Sequence, residues 1–109
     1  MFKHMDMYID RLQKLPNAWH DVAALFVALG DEQRQRIMLT FEPGERLNVT
    51  QIASASTLSR TAVSHHLKVL RQAGALQSEK IGKEVYFWID KPFIMDLLQR
   101  VLDYVRTQT

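Results

Sequence analysis

The stretch from Leu58 to Gly74 carries its own start signal, its own stop signal and a divided surface, and it constrains the fold more than any other part of the chain. Ser59 has a side-chain oxygen that can accept one of the N–H groups a helix start leaves unpaired. Gly74 can take the left-handed conformation that ends a helix. Between them Val63, Leu67 and Leu70 recur at i, i+4 and i+7, and Ala62, His66, Val69 and Ala73 form a flanking stripe. Arg60, Thr61, Ser64, His65, Lys68, Arg71 and Gln72 are left to face outward.

The flanking text gives this amphipathic helix its context. Val49 to Ala55, with Val49, Ile52 and Ala53 apolar, predicts a short preceding helix, and Ser56 and Thr57 leave a turn-sized gap, as in a helix-turn-helix. After Gly74 the period changes. Leu76 to Ile81 and Glu84 to Asp90 read as two strands joined at Gly82-Lys83, the second rich in the β-branched and aromatic residues that strands favour. A helix-turn-helix over 46–74 followed by a hairpin over 75–90 predicts a winged helix, mostly α with a small β-hairpin. Within it Ser59, Arg60, Thr61, Ser64, His65 and Lys68 are placed on the helix that enters a major groove, short polar groups reading base edges and cations further along anchoring phosphate, and Lys80 and Lys83 are placed to meet the backbone or minor groove.

Charge supports this through its distribution. The chain as a whole is only +2, but residues 59–83 hold five cations against Glu79 alone, while the remainder holds nine basic and eleven acidic residues. Positive charge is thus concentrated on the segment whose geometry already suggests DNA. The rival expectation is a winged helix that binds protein or RNA; its protein-binding form calls for an apolar outward face, which Arg60, Ser64, His65 and Lys68 do not provide.

At 109 residues one domain is expected. The absence of cysteine excludes disulfides, thiolate metal sites and thiol redox sensing within the sequence. No apolar run approaches the ~20 residues of a membrane span, and the amino terminus lacks a signal-peptide core, so a cytoplasmic protein is expected. No phosphate-cradling glycine motif or nucleophile with a converging base is visible, and neither an enzyme nor a cofactor is expected. Ser64-His65 does not read as a dyad, because adjacent helix positions diverge by about 100°. The same divergence sends His65 to the outward face and His66 to a partly buried, hydrogen-bonded position.

Helices are also predicted over Phe2 to Leu15, from a cap at Asn17 to Gly30, over Glu32 to Phe41 behind Asp31 with Arg34 and Arg36 largely outward, and from Pro92 to about Arg106. The last of these is apolar around more of its circumference than one core contact needs. With the first helix it predicts a homodimer interface through Met5, Ile9, Leu12, Phe93, Leu97, Val101, Tyr104 and Val105, on segments 1–29 and 92–107. Trp19, Phe93 and Tyr104 either line an apolar pocket there or form plain dimer core, and core is the expectation.

Over nearly its whole length the chain resembles the ArsR/SmtB family of bacterial winged-helix repressors. The resemblance rests on Ala28 to Ile37, on Leu58-Ser59 with Ser64 to Gly74, and on Gly82 to Phe87, in that order and spacing. It implies a homodimer that binds operator DNA and represses transcription, usually until an inducer weakens binding. It also implies two places for metal sites, and at both this chain departs from the pattern. Asn48 and Thr50 stand at the family's Cys-x-Cys, and Lys91, Phe93, Tyr104 and Thr107 at the site on the last helix. These are poor ligands for zinc. His4, His20, Asp21, Asp96 and Asp103 offer donors for a site of another kind, but scattered surface donors are usually solvated, and no metal is expected.

Overall fold

Asp31 shows how directly local chemistry sets the elements. In the computed structural model, which describes residue 9 and residues 12–108, its carboxylate accepts the Arg34 N–H at 3.1 Å and starts helix α2, Glu32–Met38. Helix α1, His20–Leu29, precedes it. Asn17 does not cap α1 as expected. It opens a 3-10 turn, Asn17–Trp19, closed by the Trp19 N–H on the Pro16 carbonyl at 2.9 Å, and Asp21 supplies the carboxylate of the first α1 turn by accepting from the Val22 N–H. Helix α2 ends at Met38 rather than Phe41. There the Thr40 N–H turns back to the Ile37 carbonyl and its hydroxyl to that of Arg36, taking the partners a further turn needs. Most of the expected first helix, Met5 included, lies outside the described residues.

The helix-turn-helix is capped at both starts. Helix α3, Val49–Ser54, has a capping box in which Asn48 accepts the Gln51 N–H and the Gln51 side chain accepts the Asn48 N–H. Helix α4, Arg60–Gln72, begins on Ser59, whose hydroxyl accepts the Ala62 N–H at 3.1 Å. It ends as its sequence predicts: Gly74 has φ +86°, the Gly74 N–H bonds the Arg71 carbonyl and the Ala75 N–H bonds that of Leu70, a Schellman motif.

Strands β2, Leu76–Ile81, and β3, Glu84–Ile89, pair antiparallel from Leu76↔Ile89 to Ile81↔Glu84, and Gly82 at the tip has φ +64°. A third strand, β1, Leu47–Asn48, adds to the other edge of β3 and gives the order β1-β3-β2. Helix α5, Lys91–Gln108, follows directly, its first turn fixed by Asp90, which accepts the Phe93 N–H and the Gln77 side-chain amide. One core joins these elements: Val22, Leu25 and Ala28 of α1, Ile37, Ile52, the α4 stripe of Val63, Leu67 and Leu70, then Ala75, Leu76, Phe87 and Leu97. The α4 stripe lies at its centre, so the helix can present only its opposite side to solvent.

Candidate nucleic-acid interface

Arg60, Thr61, Ser64, His65, Lys68, Arg71 and Gln72 are all exposed, while Val63, Leu67 and Leu70 are fully buried and Ala62, His66, Val69 and Ala73 fall between. The period of 3.6 thus gives one uninterrupted polar face. Two of its arginines are already engaged. The Arg60 guanidinium donates to the Thr50 hydroxyl, tying the start of α4 to α3, and Arg71 Nε donates to Ser78 Oγ at 2.6 Å, tying its end to the wing. Thr61, Ser64, His65 and Lys68 have no hydrogen-bond or ion-pair partner among the described residues.

On the wing Lys80 and Lys83 are exposed and unpaired among the described residues. Glu79, the one acidic residue in their stretch, points to the opposite face of β2, because successive strand residues alternate. There it meets Arg46 at 3.0 Å, whose guanidinium also lies 3.9 Å from the centre of the Trp88 ring. That ion pair keeps the Glu79 carboxylate away from the lysine side. No local sequence signal marks Arg46, since its partners are 33 and 42 residues away.

His65 and His66 separate as expected, with ring centres 5.9 Å apart. His65 is exposed. His66 is half-buried, with Nε2 3.1 Å from Gln33 Oε1 and Nδ1 3.3 Å from Arg34 Nη1. Arg34 is not largely outward: its Nε donates to the Ala28 carbonyl at 2.6 Å, covering the end of α1, and its backbone N–H holds the Asp31 carboxyl below the usual range.

On α5 the expected interface residues divide. Leu97 is fully buried in the core of its own chain and has no surface to offer a partner, because its position on the helix faces the core rather than solvent. Phe93 is half-buried with its ring against Gly74, where a Cβ would stand 2.3 Å from Cε2, and it does not join Trp19 and Tyr104 in lining a cleft. Val101 and Tyr104 do line a cleft of about 470 Å³ with Leu15, Pro16, Trp19, Val22, Ala23 and Phe26, and the Trp19 and Tyr104 rings meet edge to face at 5.4 Å. Val105 is exposed with Met95, Leu98 and Leu102, at spacings of three, four and three along one side of the helix. Ile9 and Leu12, the described part of the first-helix set, are also exposed, Leu12 at 86%.

Arg100 clasps α5 to α1, with Nη2 2.6 Å from Asp21 and Nη1 2.8 Å from the Ala18 carbonyl. No three His, Asp or Glu side chains converge as a metal site among the described residues; His4 lies outside them. His20 contacts the Leu15 carbonyl, Asp21 and Asp96 face Arg100, and Asp103 accepts from Gln99.

Three comparisons bear on this arrangement. The family described as "Bacterial regulatory protein, arsR family" matches residues 31–78, from the α2 cap into the wing. A transcriptional repressor SmtB homolog of Synechocystis is 31% identical over 92% of this chain and 70% of its own length. A cadmium resistance regulatory protein CadC homolog of Staphylococcus aureus is 31% identical over 79% of this chain and 71% of its own. Among solved structures, an ArsR-like transcriptional regulator from Rhodococcus superposes with a TM-score of 0.74 at 24% identity over 85% of this chain and 86% of its own, a likeness of fold.

Proposed function

The chain belongs to the ArsR family of winged-helix, DNA-binding transcriptional regulators, and on that premise we propose that it acts as a homodimeric repressor reading a two-fold operator. The observation that carries this reading is the polar face of α4: Thr61, Ser64, His65 and Lys68 are unpaired and exposed on a helix whose other side is locked into the core. Such a helix enters the major groove with its N-terminal half toward base edges. Thr61, Ser64 and His65 read bases and Lys68 meets phosphate. Arg60 does either by leaving Thr50, while Lys80 and Lys83 hold the backbone or minor groove beside it. The polar face also argues against a protein-binding module, which would present apolar side chains there.

Dimerisation is supported by the Met95, Leu98, Leu102 and Val105 stripe together with the Trp19–Tyr104 cleft, apolar surfaces on adjoining elements. A two-fold axis through them pairs two α4 helices, for which half-sites about 10 bp apart are the natural match. Selection of duplexes from a random pool, followed by sedimentation of the best one with protein, tests both parts. A two-fold site bound by two chains is expected. Enrichment of no sequence, or one chain bound to an asymmetric site, contradicts the proposal.

A further inference from the structure

His66 sits on α4 between outward His65 and buried Leu67, and α2 engages both of its ring nitrogens. Arginine has only donors, so the Arg34 contact requires Nδ1 to be the bare acceptor; the Gln33 carbonyl oxygen accepts, so Nε2 carries the proton. The two contacts together select one tautomer of a neutral ring. Arg34 is itself immobilised by the Ala28 carbonyl at 2.6 Å and the Val27 carbonyl at 3.5 Å, and its own N–H is tied to Asp31. A continuous polar chain therefore runs from the end of α1 through Arg34 to the helix that carries Ser64 and His65.

We propose that Arg34 and Gln33, acting through His66, are positioning residues that set the rotation of α4 about its own axis, and that a proton on His66 Nδ1 releases that setting. The proposal rests on α4 being the DNA-reading helix. The aliphatic stripe of Val63, Leu67 and Leu70 fixes the depth of α4 but opposes a small roll only weakly, because apolar contacts have no direction. A roll of about 10° moves a side-chain tip at the outer radius by about 1 Å. Hydrogen bonds to base edges tolerate a spread of only about half an ångström. Two directional bonds on one ring, off the axis, resist this motion.

Protonation of Nδ1 turns the acceptor into a donor and sets imidazolium against guanidinium. The charged and titratable groups facing the ring are Arg34 and Asp31 of α2 and His65 of α4; α1 contributes only the carbonyls that hold Arg34.

The test compares operator affinity of the wild type, His66→Gln, His66→Ala and Arg34→Lys on the duplex that the wild type selects, with melting curves at each pH. Glutamine can donate and accept in the same two places without titrating. The wild type is expected to lose about tenfold more affinity than His66→Gln between about pH 7.5 and 5.5. His65 is unchanged in both proteins, so the difference isolates His66. At pH 7.5 His66→Ala and Arg34→Lys are expected to bind about tenfold more weakly, and His66→Gln to recover most of that loss. Parallel pH profiles for wild type and His66→Gln, or wild-type affinity in His66→Ala, overturn the positioning role. If Arg34→Lys does not fold, the two His66 variants carry the test. A wild type that selects no duplex fails the functional reading instead, which the same assay shows separately.

Discussion

Single residues separate roles that composition blends. Gly74 shows two constraints meeting at one position: its φ of +86° is strained for any L side chain, and the Phe93 ring occupies the place of a Cβ. Gly74→Ala is expected to lower stability by about 2 to 4 kcal/mol, read from denaturant unfolding, against about 1 for the same change at Gly82, where the φ penalty stands without a clash. Asp21 gives a pH prediction. The Arg100 hydrogen bond, opposed by partial burial and aided by the Val22 N–H, holds its carboxyl below the ordinary 3.8. A depressed folded value contributes stability that is present above the unfolded value and lost as pH falls through the folded one. Asp21→Asn should therefore lower the melting temperature at neutral pH, and the gap to wild type should close below about pH 4. A gap that persists in acid would assign the effect to packing.

Elements were legible where local chemistry decides them. Ser59 and Gly74 mark both ends of α4, Asp31 the start of α2, and a run of β-branched and aromatic residues with a Gly-Lys tip the hairpin, all from signals within a few residues. What the sequence concealed depends on distant partners. Strand β1 is two residues long and exists because β3 has a free edge; Arg34 turns inward because the end of α1 offers it carbonyls; Arg46 and Arg100 find partners 33 and 79 residues away. The apolar girth of α5 was visible, but periodicity could not divide it between core and surface, and Leu97 went to the wrong side. That division makes a prediction. Leu97→Ala should cost about 2 to 5 kcal/mol of unfolding free energy, because it opens a cavity in the core. Leu98→Asp or Leu102→Asp should leave the fold intact and dissociate the proposed dimer in analytical ultracentrifugation. A monomeric Leu97→Ala of normal stability would reverse the assignment.

At the scale of the whole molecule, the helix-turn-helix is held between α1 and α2 on one side and the wing on the other, with polar ties at Thr50–Arg60, Gln33–His66 and Arg71–Ser78. DNA binding should then show two kinds of dependence. Lys80→Ala and Lys83→Ala should weaken binding to every duplex alike and reduce the slope of log affinity against log salt by about 1 each, in anisotropy titrations. Thr61, Ser64 and His65 should instead decide which duplex is preferred. The direct measurement is a repeat of the duplex selection with Thr61→Ala, Ser64→Ala and His65→Ala. Each variant is expected to lose about 1 to 3 kcal/mol of discrimination at one position of each half-site, symmetrically, with the other positions retained. Three variants that select the wild-type sequence with undiminished preference would contradict base reading by α4.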